Sequence, residues 1–325
     1  MTEYNSFEDK KQHFDTWEII DTPGDFNRMI SEFKALKSSN NHVLFRGICE
    51  ARYKLYTSLQ RECFNRGIGP NDATGKSIVL KLLEQSRNNP KGQNYIPEYF
   101  AKLGIPLNDW MLLALLQHYG APSPLLDFTK GFIPALYFMC LGITPRYSNR
   151  EIDNYASIIY FKTVDVCSAH LIENLPKTCE AIYNQSNKKL SNYRERDEFV
   201  LNDLSFDNIM SNNRKIELIP SYNGINKIKH KGNNKWIANL PIANMNMTSQ
   251  EGEFVCNISD SEPLENLMVS GNTKYLHCYN IKKSLYHYIL DNYLKGSLDA
   301  MKAELFPSEY QAAKDIYFRT MANLF

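Results

Sequence analysis

The chain predicts an α+β fold in which mainly antiparallel core strands are surrounded by helices. Short apolar runs of strand character occur at 42–46, 124–129, 155–163 and 252–258, and segments of helical periodicity fall between them. The two kinds of segment do not alternate in the regular βαβ order of a doubly wound sheet. With 325 residues, 43% of them hydrophobic, the chain is long enough for one large domain or two ordinary ones. We read a polar N-terminal arm over 1–24 and one domain over 25–325, with an exposed polar insertion at about 180–235.

Taken in order, "DTPGDFNRMISEFKALKSS" places Phe26, Ile30, Phe33 and Leu36 at helical spacing, with Thr22 or Asp25 available as a cap. A strand follows at 42–46. "GKSIVLKLLEQSRN" reads as a second helix and "LNDWMLLALLQHYG" as a third, capped by Asn108 or Asp109 and ended by Gly120. "SPLLDFT" is a short strand leading into "GFIPALYFMCLGI", a buried helix that tolerates Pro134 in its first turn. "YASIIYFKTV" is a strand, and residues 180–235 are rich in Asn, Lys and Ser. "GEFVCNI" and "KYLHCYNI" return to strand character, and "KSLYHYILDNYLKG" and "SEYQAAKDIYFRTMANLF" close the chain as helices.

Composition excludes several classes. Lys and Arg together number 37 against 36 Asp and Glu, so no global field draws the chain to nucleic acid or an anionic membrane, and any anion site is local. The seven cysteines follow no metal-ligand spacing and the chain opens without a leader-like segment, which implies reduced thiols and a cytoplasmic location. The most apolar stretch is about a dozen residues, short of the roughly 20 that a spanning helix requires.

Three stretches carry chemistry. In "HVLFRGICE", Arg46 and Gly47 end an apolar strand. A cation there either holds an internal carboxylate, with Glu50, Glu62 and Asp127 as candidates, or faces an anion in a cleft. Gly47 permits close backbone or ligand approach, or a positive φ. In "QHYGAPSPLLDFT", the helix end delivers Gln117, His118 and Tyr119, and Asp127 and Thr129 share a strand face opposite Phe128. His118 reads as a capping residue or a general acid or base, and at least one of His118 and Asp127 is expected to be buried and hydrogen-bonded near Arg46. In "MTSQEGEFVCNI", Gln250, Gly252 and Phe254 lie on one strand face and Glu251 and Glu253 on the other if the strand is regular, whereas a bulge at Gly252 changes that register. No spacing supports a metal site.

With "FRG", "LQHYGAPSPLLDFTKGFIPALYF", "SQEGEF" and "LFPSEYQAAKDI" in this order over about 25–318, the chain resembles the FRG-domain family. Pro124 stands where that family usually has arginine, and Phe128 where it usually has tryptophan. The resemblance implies a bacterial or phage-related setting that includes defence systems. A further similarity is to the three-part signature of ADP-ribosyltransferases: arginine and glycine after the first core strand, a strand ending in Thr before an aromatic helix face, and a later Gln/Glu strand. It implies an ADP-ribosyltransferase-like fold and an NAD-consuming ADP-ribosyltransferase or NAD glycohydrolase acting as a defence effector or toxin. Arg46, Thr129, Gln250 and Glu253 are then the catalytic candidates. Arg46, Gly47, His118, Tyr119, Asp127 and Phe128 are the candidates for binding NAD, with a protein or nucleic acid as acceptor. The alternative is a non-catalytic module that binds a nucleotide or nucleic acid, to which the basic run "KIKHKGNNKW" adds a contact surface.

Overall fold

The computed structural model describes residues 2–38, 42–69, 74–88, 96–98, 108–143, 148–169, 171, 184–185, 188–189, 191–192, 205–210, 216–220, 227–229, 236–239 and 249–306. Its strands are β1 (Trp17–Ile20), β2 (Val43–Ile48), β3 (Leu125–Thr129), β4 (Tyr155–Lys162), β5 (Ile216–Pro220), β6 (Lys227–Lys229), β7 (Trp236–Asn239), β8 (Gly252–Asn257), β9 (Val269–Ser270), β10 (Thr273–Lys274) and β11 (His277–Lys282). The helices that matter below are α1 (Phe7–Lys11), α2 (Pro23–Ser38), α3 (Ser58–Asn65), α4 (Gly75–Asn88), α5 (Asp109–His118), α6 (Phe132–Leu141), α7 (Tyr286–Tyr293) and α8 (Leu298–Leu305). The predicted closing segment beyond 306 and most of the 180–235 segment lie outside the described residues.

Seven strands form one open sheet in the order β1-β11-β4-β2-β3-β8-β5. Every neighbouring pair is antiparallel except β1 with β11. This is the mixed, mainly antiparallel α+β architecture that the pattern of short strands and intervening helices predicts. Alternate residues feed opposite faces. Phe45, Ala156, Ile158 and Tyr160 pack beneath α2, α6 and α7, and Leu125, Phe254 and Cys256 pack beneath α4 and α5. Leu44, Leu126, Phe128, Ile159 and Val255 line the opposite core.

Local signals account for the helix ends. Thr22 Oγ1 accepts from the Asp25 N–H (3.2 Å) at the start of α2, and Asn108 Oδ1 accepts from the Met111 N–H (3.0 Å) at the start of α5. After α5 the chain turns through Gly120, whose φ of 81° suits glycine. Thr57 and Gln60 form a reciprocal capping box on α3.

The segment expected as a polar arm carries α1 and β1, and Tyr4, Phe7, Phe14 and Ile20 are buried. The Tyr4 hydroxyl donates to the buried Glu265 carboxylate. Lys10 is 0% exposed and donates to Ala51 O, Ser157 Oγ and Asn280 Oδ1 at 2.7–2.8 Å. Its sequence looks polar because the interior groups it meets are polar too. Ile216, Leu218 and Ile219 of the Asn/Lys-rich segment are likewise buried, in edge strand β5.

One junction shapes the site. β2 pairs with β4 over six residues and β3 with β8 over five, but β2 and β3 meet at a single pair, Phe45↔Thr129. Beyond it, Arg46–Ile48 follow β4 alone and Leu125–Phe128 follow β8 alone. The two halves of the sheet part there.

Candidate functional site

A cavity of about 860 Å³ opens at this parting, lined by residues from β2, β3, β8, α5 and α6 and by the segment 53–61. The volume falls within the ~300–1,000 Å³ usual for small-molecule and cofactor sites.

Arg46 lines it from the end of β2. Its Nη1 donates to the main-chain carbonyl of Asp127, its guanidinium stands 6.0 Å from the centre of the Phe128 ring, and its Nε is buried without a hydrogen-bond partner. Among the described residues it makes no ion pair. Glu50 is held by Lys283 at 2.7 Å, Glu62 by Arg66 at 2.6 Å, and the Asp127 carboxylate receives the Gln117 amide at 2.8 Å. The internal ion pair that the sequence left open is therefore not formed. Burial holds the Arg46 guanidinium below its ordinary proton affinity; Asp127 offsets this, and the charge of Arg61 adds to it.

Gly47 also lines the cavity, but its φ is not positive, and its lack of a side chain serves the fold. A Cβ there would stand 1.9 Å from Ala135 O, because the backbone of α6 lies directly against the strand.

On the opposite wall, α5 brings Gln117 and His118. His118 and Asp127 are both exposed, whereas the sequence led us to expect burial of at least one. They line the hollow left by the parting strands, so the side chains meet cavity space where closed strands would have met core. Asp127 is nevertheless hydrogen-bonded beside Arg46. Gln117 gives its Nε2 to Asp127, which fixes its amide, and its Oε1 is buried with no partner. Tyr119 stands apart: it is 75% exposed and is not part of the cavity wall. Phe128 is buried against Phe161 while still reaching the wall. Pro124 is buried at the start of β3 and also lies off the wall, so the arginine usual in the FRG family is missing from a position outside this cavity.

The third stretch departs from a regular strand. β8 begins at Gly252, and Glu251 before it has φ of 49°, so Gln250 sits in a turn and its strand-face alternation does not apply. The Gln250 amide donates to Leu305 O (2.9 Å), and its carbonyl accepts from the Thr129 hydroxyl. Thr129 also accepts from the Gly131 N–H (3.0 Å), so it ties the β3–α6 turn to β8 and makes no bond to Arg46. Glu253 is 1% exposed, with Oε1 2.6 Å from Lys130 Nζ and Oε2 without a hydrogen-bond partner. Burial raises its pKa, and Lys130 only partly offsets this.

Sequence reasoning missed Arg61, which lines the same cavity from the first turn of α3 and donates to Tyr56 O at 2.6 Å. Its signal is electrostatic: a cation placed at the positive end of a helix dipole. "KIKHKGNNKW" contributes β6 and the first residue of β7, paired antiparallel, and its remaining residues lie outside the described ones. Among the described residues no three His, Cys, Asp or Glu side chains gather as a metal would need, and no helix is long and apolar enough to cross a membrane.

The fold and cavity define an α+β protein with a cation-bearing cleft at a divided sheet. The chain carries an FRG domain: the family model of that domain matches residues 41–147. The match takes in β2, α3, α4, α5, β3 and α6, and ends before the β8 wall. No curated protein and no solved structure matches the chain.

Proposed function

We propose that the cavity binds NAD and that the protein consumes it, as an NAD glycohydrolase or ADP-ribosyltransferase. The observation that carries this reading is the pairing of an unneutralised guanidinium, Arg46, with an acceptor wall made by Asp127 and the unpartnered Gln117 Oε1. A dinucleotide supplies both complements, with phosphates for the cation and ribose hydroxyls for the acceptors.

In the reaction, the bond between C1′ of the ribose and the pyridinium nitrogen breaks, and nicotinamide leaves with the electron pair. Positive charge then passes to an oxocarbenium-like C1′, which a nearby carboxylate stabilises. Water or an acceptor nucleophile closes the new bond and releases a proton. Glu253 is the acid that the transferase resemblance assigns. Asp127 suits the role better, because it faces the cavity whereas the Glu253 charge is taken by Lys130. A role as a defence effector or toxin follows if NAD loss arrests the cell that makes the protein.

The second reading, a nucleotide-binding module without turnover, is favoured by one observation. Thr129 and Gln250 spend their hydrogen-bonding groups on main-chain carbonyls and leave little for catalysis. Incubating the full chain with NAD and following nicotinamide release separates the two. Release that falls at least about 100-fold in Asp127→Asn supports turnover through this carboxylate. NAD binding without release establishes the module.

A further inference from the structure

We infer that Arg46 and Arg61 form a two-guanidinium clamp for a diphosphate. This rests on the reading of the cavity as a nucleotide site. The two side chains line one cavity from different elements, the end of β2 and the first turn of α3. Among the described residues neither makes an ion pair with a carboxylate. Each gives a hydrogen bond to a main-chain carbonyl instead, Arg46 to that of Asp127 and Arg61 to that of Tyr56 at 2.6 Å.

Each guanidinium has five N–H donors, so most are left for a ligand, and the Arg46 Nε is buried without any partner. Burial lowers the proton affinity of both groups, and the Arg61 charge lowers that of Arg46 further. Two like charges brought together are unfavourable; the Asp127 carboxylate offsets this at Arg46 without forming an ion pair with it. The neighbouring Glu62 is engaged by Arg66, and Glu50 by Lys283.

Arg61 also opposes the dipole of its own helix, a placement that local helix stability does not explain. An anion with one negative charge on each of two linked phosphates matches two guanidiniums in charge, and each planar fork can take two phosphate oxygens. The clamp holds the diphosphate at the end of β2, leaving the Gln117–Asp127 wall for a sugar. It requires no turnover.

Titration calorimetry on the full chain with ADP-ribose, ADP, inorganic pyrophosphate and adenosine tests the clamp, alongside Arg61→Gln, Arg61→Lys and a thermal melt of each. The clamp predicts that ADP-ribose and ADP bind at least tenfold more tightly than adenosine. It also predicts that Arg61→Gln loses at least tenfold for both diphosphates with an unchanged melt and unchanged adenosine affinity, and that Arg61→Lys falls between. Equal diphosphate affinity in the parent and Arg61→Gln overturns it, as does absence of binding by all the phosphate ligands. Pyrophosphate binding that depends on Arg61, without any NAD cleavage, keeps the clamp and removes the catalytic reading. NAD cleavage with an unchanged KM in Arg61→Gln removes the clamp and keeps the catalytic reading.

Discussion

Lys10 is a fully buried cation in the N-terminal corner, and Arg46 is a half-buried one at the divided sheet. Lys10 places its three donors on three neutral oxygens at 2.7–2.8 Å, from the segment after β2, from β4 and from β11. Arg46 bonds one main-chain carbonyl and keeps a buried Nε unpaired beside open space. The difference teaches how to read a buried cation. What matters is whether its donors are exhausted, and a satisfied cation is a brace whereas an unsatisfied one awaits a ligand.

Substitution sharpens the contrast. Lys10→Met keeps the apolar stem but strands three interior acceptors, and we expect a loss of about 3 kcal/mol or more in denaturant unfolding. Ligand affinity in the cavity should stay near that of the parent for the fraction that folds. Equal stability of Lys10→Met and parent would remove the brace from the comparison.

Arg46→Ala should show the reverse pattern. It strands no carboxylate and gives up one hydrogen bond, so about 1 kcal/mol of stability is at stake, while nucleotide affinity should fall about tenfold to a hundredfold. A stability loss as large as that of Lys10→Met, with affinity kept, would make Arg46 a second brace.

Glu253 is the intermediate case, a buried acid with Lys130 Nζ at 2.6 Å and His42 Nε2 at 3.5 Å from its Oε1, and its substitution should have the smallest effect. Burial raises its pKa, so the native state keeps the proton to higher pH than the unfolded chain does. Stability from this group is therefore greatest at low pH and declines as pH rises from the ordinary carboxylate range through the raised value. Glu253→Gln lacks that decline, and its melting temperature should gain on the parent's as pH is raised. A constant difference across the pH range would mean that Lys130 fully compensates the charge.

Much of the architecture was legible because local chemistry set it. Gly75–Asn88 forms the helix its sequence predicts, Asn108 caps α5, and Leu125–Thr129 forms the strand expected after the two prolines. β1 was not legible, since Trp17–Ile20 is short and acquires its character from pairing with β11 far along the chain. Of the two readings open for Gln250, the regular strand fails and the register breaks next to Gly252, because Glu251 has a positive φ that leaves no mark in an alternating pattern.

The motifs by themselves pointed to many of the groups that line the cavity, but not to Arg61, and they included Tyr119, which lies off its wall. Arg46, Gly47, His118, Asp127, Thr129, Gln250 and Glu253 all stand on the wall of one cavity. Tertiary structure alone decided what each is free to do. Arg46 and Asp127 are 81 positions apart, and the bond between them runs to a main-chain carbonyl because β2 and β3 separate after a single pair. Propensity, capping and alternation act over a few residues, so they specify elements and which side chains share a face. Whether a charge is neutralised or left open depends on how those elements pair across the whole chain.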